Sequence, residues 1–125
     1  MIAIAKKIQY LQVPKVIAYC GFFLMTSFIF YAIVYGDFFN EGAVLTSLPW
    51  GIVSLVDIYL GLLLFSSWVF WREENKSKAS LWVISILTLG NAISCVYILK
   101  AVYESEANIF IFWLGKRNAG KRYDL

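Results

Sequence analysis

Histidine is absent from this 125-residue chain, and charged side chains are scarce. Without an imidazole, the chain has no histidine general base, no Ser-His pair and no histidine ligand for zinc, haem or chlorophyll magnesium. Charged residues make up 15% of the chain, which has only two cysteines and two prolines. These absences argue against an enzyme, and two cysteines are too few for a disulfide framework.

Apolar side chains dominate instead. Hydrophobic residues account for 61% of the chain and aromatic residues for 18%, and the mean hydropathy is +0.71. Soluble domains are about 45 to 50% apolar, and a chain of this length cannot bury so large an excess of apolar surface. The composition therefore predicts an integral membrane protein.

The apolar residues form stretches long enough for transmembrane helices. A bilayer core about 30 Å thick needs about 20 helical residues, and suitable stretches lie at about residues 13–36, 49–71 and 79–100. Pro49 suits the first turn of the second helix, and the charged link at 72–78 makes the second and third helices adjacent. We predict one all-α membrane domain, residues 1–125, with three transmembrane helices in up-down-up order and a C-terminal tail at 101–125.

The basic residues predict an orientation. Near the ends of the first two spans they lie at Lys6, Lys7, Lys15, Arg72, Lys76 and Lys78. The loop at 36–48 contains no lysine or arginine. Because basic residues favour the inner side, we predict the N-terminus inside and the C-terminus outside, in a bacterial inner membrane or an organellar membrane. The net charge of +3 forms no single basic patch, so nucleic acid is not an expected partner.

Tryptophans mark the predicted boundaries. Those within about a turn of a span end are Trp50, Trp68, Trp71 and Trp82. Indole rings favour the headgroup level because one edge is polar and the rest apolar. We interpret these residues as interface anchors, with contact to a quinone or pigment as the alternative.

Asp57 is the one charged residue within the second predicted span. It lies about 5 Å from the middle of that helix, where an unpaired carboxylate costs at least about 2.5 kcal/mol. Asn91 is predicted at the same depth in the third span, with Ser54 and Ser94 one turn away from these two residues. We predict an intramembrane polar network of these side chains, acting either as a packing network or as a proton or ion site.

Small side chains follow the third predicted span, and the members of this packing strip are Ser85, Thr88, Gly90 and Ala92. Such residues let helices approach closely, within the bundle or against a partner. Cys20 and Cys95 are predicted about 15 Å apart in depth on parallel helices, too far for a disulfide. Glu73 and Glu74 are interpreted as a solvated turn.

The tail combines an apolar run at 109–114, too short to span a bilayer, with the basic residues that follow it. This pattern is typical of a segment in the lipid interface, and it equally suits contact with a partner subunit. The predicted contact residues of this short interfacial or partner-contacting segment are Phe112, Trp113, Lys116 and Arg117.

Residues 48–100 also carry a pattern of motifs: Pro49-Trp50, Asp57, Tyr59, Trp68, Arg72-Glu73, Trp82 and Gly90. This pattern resembles a group of small plant and bacterial membrane proteins classified as a domain of unknown function. The resemblance implies no activity, and it adds only that Asp57 belongs to a recurring pattern.

These observations predict a non-catalytic integral membrane protein that is an accessory or structural subunit of a larger membrane complex. Its expected partners are membrane lipids and other membrane subunits. The alternative is a homo-oligomeric small transporter or ion-coupling protein with Asp57 as its protonatable site. No catalytic residue, metal ligand or cofactor is predicted, although grooves between helices leave room for lipid, quinone or pigment.

Overall fold

The computed structural model describes residues 2–123 of the chain, and side chains over residues 10–121. This part of the chain is helical, without strands, which confirms the all-α prediction there. The helices are α1 (Ile2–Tyr35), α2 (Phe38–Ser47), α3 (Pro49–Arg72), α4 (Lys76–Leu89), α5 (Asn91–Glu104) and α6 (Ile109–Tyr123). Two stretches, Tyr10–Tyr35 and Pro49–Arg72, are long and apolar enough to cross a membrane by length and composition.

Local sequence explains where these helices begin. Pro49 is the first residue of α3, as predicted, where its missing N–H removes no helical hydrogen bond. The Asp37 carboxylate accepts a hydrogen bond from the Asn40 backbone N–H and caps α2. The Asn75 side chain accepts hydrogen bonds from the backbone N–H groups of Ser77 and Lys78 and caps α4. The connections before α2 and α4 therefore each end in a polar residue that caps the following helix.

The third predicted span is instead a helical hairpin. Gly90 has φ +66° and ψ −143°, a conformation that glycine adopts without a Cβ clash. The rings of Trp82 and Tyr97 lie 5.1 Å apart, whereas a continuous helix would separate these residues by about 22 Å. Each arm has 14 residues, about 21 Å of helix, which is shorter than a bilayer core. The single span predicted at 79–100 is thus replaced by two short antiparallel arms.

The hairpin packs between the two long helices. Helix α4 lies against α3, and α5 lies against α1. Phe65 and Trp68 of α3 contact Tyr97 of α5, and Arg72 contacts Glu104 near the end of α5, so α3 and α5 run parallel. The main core is formed by Leu62, Val69, Ile86 and Tyr97, with a second cluster at Leu11, Ala101 and Phe112.

The hairpin also changes the predicted positions of the cysteines. A Cβ built on Gly21 would lie 2.9 Å from the Cys95 Sγ, so α1 and α5 are in close contact there. Cys95 is therefore level with Gly21, the residue next to Cys20. The predicted separation of the two cysteines by about 15 Å in depth is wrong. That prediction assumed a third span running parallel to the first. Both thiols are nevertheless free, as predicted.

The first part of α1 and the start of α6 lie at one end of the molecule. Leu11 packs with Ala101 and Phe112, and the Lys15 Nζ lies 5.0 Å from the centre of the Tyr103 ring. This arrangement differs from the opposite sides predicted for the termini, because the hairpin returns the chain to the end from which α4 started. The segments at this basic end contain Lys15, Arg72, Lys76, Lys78, Lys100, Lys116, Arg117 and Lys121.

The other end of the molecule is open. We use the name open half for residues 22–35 of α1, all of α2, and residues 49–61 of α3. The hairpin turn reaches only the edge of this region, near Asp57, and Gly51 is the single buried residue of the open half. A Cβ on Gly51 would clash with the backbone carbonyl of Leu45, so α2 and α3 cross closely at this glycine. The molecule therefore has one packed half and one half with largely exposed apolar side chains.

Candidate functional site

A group of charged side chains lies where α3 ends against α5. We call it the charged cluster, and its members are Arg72, Glu73, Tyr97, Lys100 and Glu104. Arg72 is the last residue of α3 and Glu73 is its C-cap. The other members recur every three or four positions along α5, so they share one face of that helix.

Arg72 connects three parts of the fold. Its Nε donates a hydrogen bond of 2.8 Å to the Phe112 backbone carbonyl in α6. Its Nη1 donates to the Tyr97 hydroxyl at 3.2 Å and to Glu104 Oε2 at 3.2 Å. The guanidinium carbon also lies 6.0 Å from the centre of the Trp68 ring, at the outer limit of cation–π contact. This single side chain therefore joins α3 to α5 and α6, although its Nη2 is buried without a hydrogen-bond partner.

Glu73 provides the negative charge opposite Arg72. Its Oε1 accepts hydrogen bonds from the Tyr97 hydroxyl at 2.8 Å and from the Lys100 Nζ at 2.5 Å, and lies 3.7 Å from Arg72 Nη1. Burial by itself raises the pKa of this carboxyl, but the hydrogen bonds from Lys100 and Tyr97 and the nearby positive charges hold the pKa below its ordinary value. Glu73 is therefore a buried carboxylate stabilised by its partners.

The cluster is electrically balanced. Lys100 bridges Glu73 and Glu104, the second contact being 3.0 Å long, so two cations face two carboxylates. A buried ion group of this kind is tolerated only when its charges are paired and hydrogen-bonded. Among the described residues, no group of three or more histidine, cysteine, aspartate or glutamate side chains is arranged to hold a metal ion. The arrangement pairs each cation with a carboxylate and links α3 to α5.

This cluster was not predicted from the sequence. The solvated-turn interpretation agrees with the exposure of Glu74 but is wrong for Glu73, which is buried. The sequence signal for this cluster was the spacing of Tyr97, Lys100 and Glu104, which places them on one helical face, together with the charged link at 72–78. Partners 24 to 32 positions apart become evident only when the hairpin places α5 parallel to α3.

The predicted intramembrane network is not connected within the chain. Ser54 donates to the Trp50 carbonyl at 2.9 Å, and the buried Ser94 hydroxyl has no partner. Asp57 and Asn91 are exposed, and among the described residues neither side chain has a hydrogen bond or an ion pair. Leu62 and Ile86 share the main core cluster, and Asp57 and Asn91 are each five residues from these positions toward the hairpin turn, so they lie near the same level. The direct bond predicted between them does not form within the chain.

The predicted packing strip is interrupted at Gly90, where the chain reverses. Ser85 donates to the Leu81 carbonyl, while Thr88 is exposed and donates to the Ile84 carbonyl. Ala92 lies beyond the turn and is buried in α5. These residues therefore belong to two antiparallel arms and do not form one continuous surface.

The predicted anchors divide into two pairs. Trp50 and Trp71 are exposed, which suits the interface role predicted for them. The rings of Trp68 and Trp82 pack against Tyr97 at 5.7 Å and 5.1 Å. The indole N–H of Trp68 donates to a backbone carbonyl in α6, so these two tryptophans contribute to the packed half.

The tail residues also divide. Phe112 is buried, its carbonyl accepts from Arg72, and the Trp113 carbonyl accepts from Trp68. Lys116 and Arg117 are exposed, with Lys116 only 4.0 Å from Glu106 at the surface. The apolar part of the tail therefore contacts the chain's own helices, and its basic part remains accessible.

An apolar groove lies beside the tail. Its volume is about 500 Å³, and its wall includes Tyr10 and Pro14 of α1, Phe65 and Trp68 of α3, and Phe112 of α6. The lining is almost entirely apolar, so the groove is of the kind expected to accommodate a hydrocarbon chain.

A family model described as a protein of unknown function, DUF1475, matches residues 3–113. The chain belongs to the DUF1475 family. The match is wider than the resemblance seen at 48–100, since it includes α1 and the first part of α6. The DUF1475 region thus contains the whole charged cluster and Asp57, while Lys116 and Arg117 lie beyond it. No curated protein and no solved structure matches the chain.

Proposed function

We propose that this DUF1475 protein is a non-catalytic integral membrane protein that serves as an accessory or structural subunit of a larger membrane complex. The observation that carries this proposal is the open half. Two helices suited to crossing a membrane leave their apolar side chains exposed over this half. The short hairpin packs only the other half.

Helix α2 indicates which part of the open half contacts a partner. Phe38 and Phe39 begin this helix, just beyond the end of α1, and are 85% and 84% exposed. In the proposed placement they lie past the hydrocarbon core. Aromatic side chains are enriched in the buried centres of protein interfaces, so α2 is the proposed contact surface.

The charged cluster supports a structural role. Its charges are mutually paired, and it fixes the ends of α3, α5 and α6 relative to one another. The packed half, which carries the basic end, holds the open half in position. This suits a subunit that binds its partner through a preformed surface. The accumulation of basic residues at one end favours that end on the inner side of the membrane.

Co-purification tests this proposal. The protein is extracted from its native membrane in a mild detergent, separated on a native gel, and everything that migrates with it is identified by mass spectrometry. We expect a stoichiometric membrane-protein partner. Replacing Phe38 and Phe39 by serine should release the partner, whereas the control L81S, at an exposed position of the packed half, should retain it. A single species without any partner would contradict the proposal.

A small transporter or ion-coupling protein is the second candidate, because Asp57 is unpartnered partway along a candidate span. Intramembrane carboxyl groups often mark ion pathways. In proteoliposomes, Asp57→Asn should then abolish proton or ion flux while preserving the helical content. Unchanged flux would exclude this function.

A further inference from the structure

We propose that two copies of this chain associate within the membrane, with Asp57 of each copy hydrogen-bonded to Asn91 of the other. This inference rests on the membrane placement in the proposed function. The interface is the face of α3 that carries Asp57, together with the hairpin turn beside it.

The first step concerns Asp57. Its neighbours on the same face of α3, one and two turns away, include Val53, Leu60 and Leu64, and all are exposed. In the proposed placement this surface faces hydrocarbon, where an ionisable group is unfavourable without a partner. Within the described residues the chain provides Asp57 with neither a hydrogen bond nor an ion pair. The partner must therefore come from outside the chain.

The second step concerns Asn91, the first residue of α5. Its side chain is exposed and has no hydrogen bond among the described residues. A primary amide provides both donors and an acceptor, so it can pair with a carboxyl group in either protonation state. Asp57 and Asn91 are thus complementary groups, each without a partner in its own chain.

The third step is their common level. Leu62 of α3 and Ile86 of α4 share one core cluster, and Asp57 and Asn91 are each five residues from these positions toward the hairpin turn, so the two groups lie near the same level. A two-fold rotation about the membrane normal leaves the depth of every atom unchanged. Two copies related in this way can form the Asp57–Asn91 contact twice, as a self-complementary interface requires. A second copy is therefore the simplest partner of matching chemistry.

Gly61 supports close approach at this face. It lies one turn from Asp57 and is exposed, and a Cβ built on it would meet nothing within 4 Å in its own chain. The fold itself therefore does not need a glycine here. Small residues at a helix surface allow a second helix to approach closely in a membrane.

Self-association in lipid tests the inference. Förster transfer between two labelled populations in vesicles gives the dimer dissociation constant. We expect D57L and N91L each to raise this constant about tenfold, because two interhelical hydrogen bonds are lost per dimer. The double variant should weaken the dimer no more than either single variant, since both remove the same pair. G61L should weaken it too, with unchanged helical content, because its own chain leaves room for the side chain.

Cross-linking locates the interface. In a C20A/C95A background, V53C lies on the Asp57 face, whereas the control I52C is adjacent, similarly exposed and turned about 100° around the helix. We expect disulfide-linked dimers from V53C and none from I52C. Equal cross-linking of the two variants would overturn the inference.

The outcomes separate this inference from the proposed function. Release of the protein by alkaline carbonate would contradict the membrane placement itself. Retention in the membrane as a monomer, with no effect of D57L or G61L, would overturn the dimer and leave the proposed function standing. Cross-linking of V53C to a different protein would also overturn the dimer, and it would support the accessory role.

Discussion

At the scale of single residues, the charged cluster shows how a mostly apolar chain tolerates buried charges. Arg72 and Glu73 are adjacent in sequence, and both are almost fully buried. Neither is stabilised mainly by the other, because their closest contact is 3.7 Å. Instead Arg72 bonds to α6 and Glu104, while Glu73 bonds to Tyr97 and Lys100. Through this pair, the charged link at 72–78 makes contacts with α5 and α6, which are distant in sequence.

Glu73→Gln tests the strength of this arrangement. The substitution preserves size but leaves Arg72 and Lys100 facing Glu104 alone, with an excess positive charge in a buried site. Removing one partner of a buried ion pair typically costs about 3 kcal/mol, so we expect a clear fall in the free energy of unfolding in detergent. The control Glu74→Gln, at the neighbouring exposed position, should change this energy by less than about 0.5 kcal/mol. Equal effects would contradict the role of Glu73.

The same carboxyl predicts a pH dependence. Its pKa is below its ordinary value of 4.5 in the folded chain, so the unfolded chain binds the proton more readily. The resulting stabilisation is fully present above about pH 4.5 and is lost as the pH falls through the lower folded pKa. We expect the Tm of the wild-type chain to fall over this acidic range. Melting curves of Glu73→Gln should show a smaller fall, and an unchanged slope would contradict the prediction.

At the scale of elements, the hairpin is the feature that the sequence did not predict. The stretch at 79–100 has the length and hydropathy of a span, and a glycine within an apolar helix is common in membrane proteins. Local patterns therefore gave no sign that the chain reverses at Gly90. The reversal is stabilised by contacts between α4 and α5, such as that of Trp82 with Tyr97. The sequence pattern of a single helix does not predict such contacts.

By contrast, the elements with local signals were predicted well. Pro49 marked the start of α3, and the long apolar runs marked α1 and α3. The bond that the sequence predicted between Asp57 and Asn91 is not formed within the chain. The charged cluster was missed because it combines residues of α3 and α5 whose alignment depends on the hairpin.

Gly90→Ala tests the hairpin. No atom obstructs a Cβ at this position, so the penalty arises from the backbone, whose conformation is almost exclusive to glycine. A cost of about 1 to 3 kcal/mol is expected for such a residue. Spin labels at S80C and V102C in a C20A/C95A background should report a short distance in the wild-type hairpin. The alanine variant should populate longer distances, toward about 33 Å for a continuous helix.

Gly42→Ala is the matched control for this measurement. Gly42 lies inside α2, and a Cβ there also meets nothing within 4 Å. Because its φ is not positive, alanine should fit without strain and leave the label distances unchanged. A uniformly long distance in the wild-type chain would show that α4 and α5 form one helix.

At the scale of the whole molecule, the hairpin determines the distribution of charge. With α5 returning to the end of α3, the basic tail joins the basic link and the N-terminal part of α1. The segment at 36–48, at the opposite end, contains acidic residues and no lysine or arginine. In the proposed membrane placement, this distribution puts the basic tail on the same side as the basic link, whereas three spans would leave the tail on the outer side.

This charge distribution predicts that the link and the tail face the same side of the membrane. Single cysteines at Ser77 and Lys121, in a C20A/C95A background, should react from the inside with a membrane-impermeant maleimide. A cysteine at Asn40, in exposed α2, should react from the outside. All three positions are exposed, so differences in labelling report membrane side. Labelling of Lys121→Cys from the side of Asn40→Cys would instead require a third complete span and would contradict the hairpin topology.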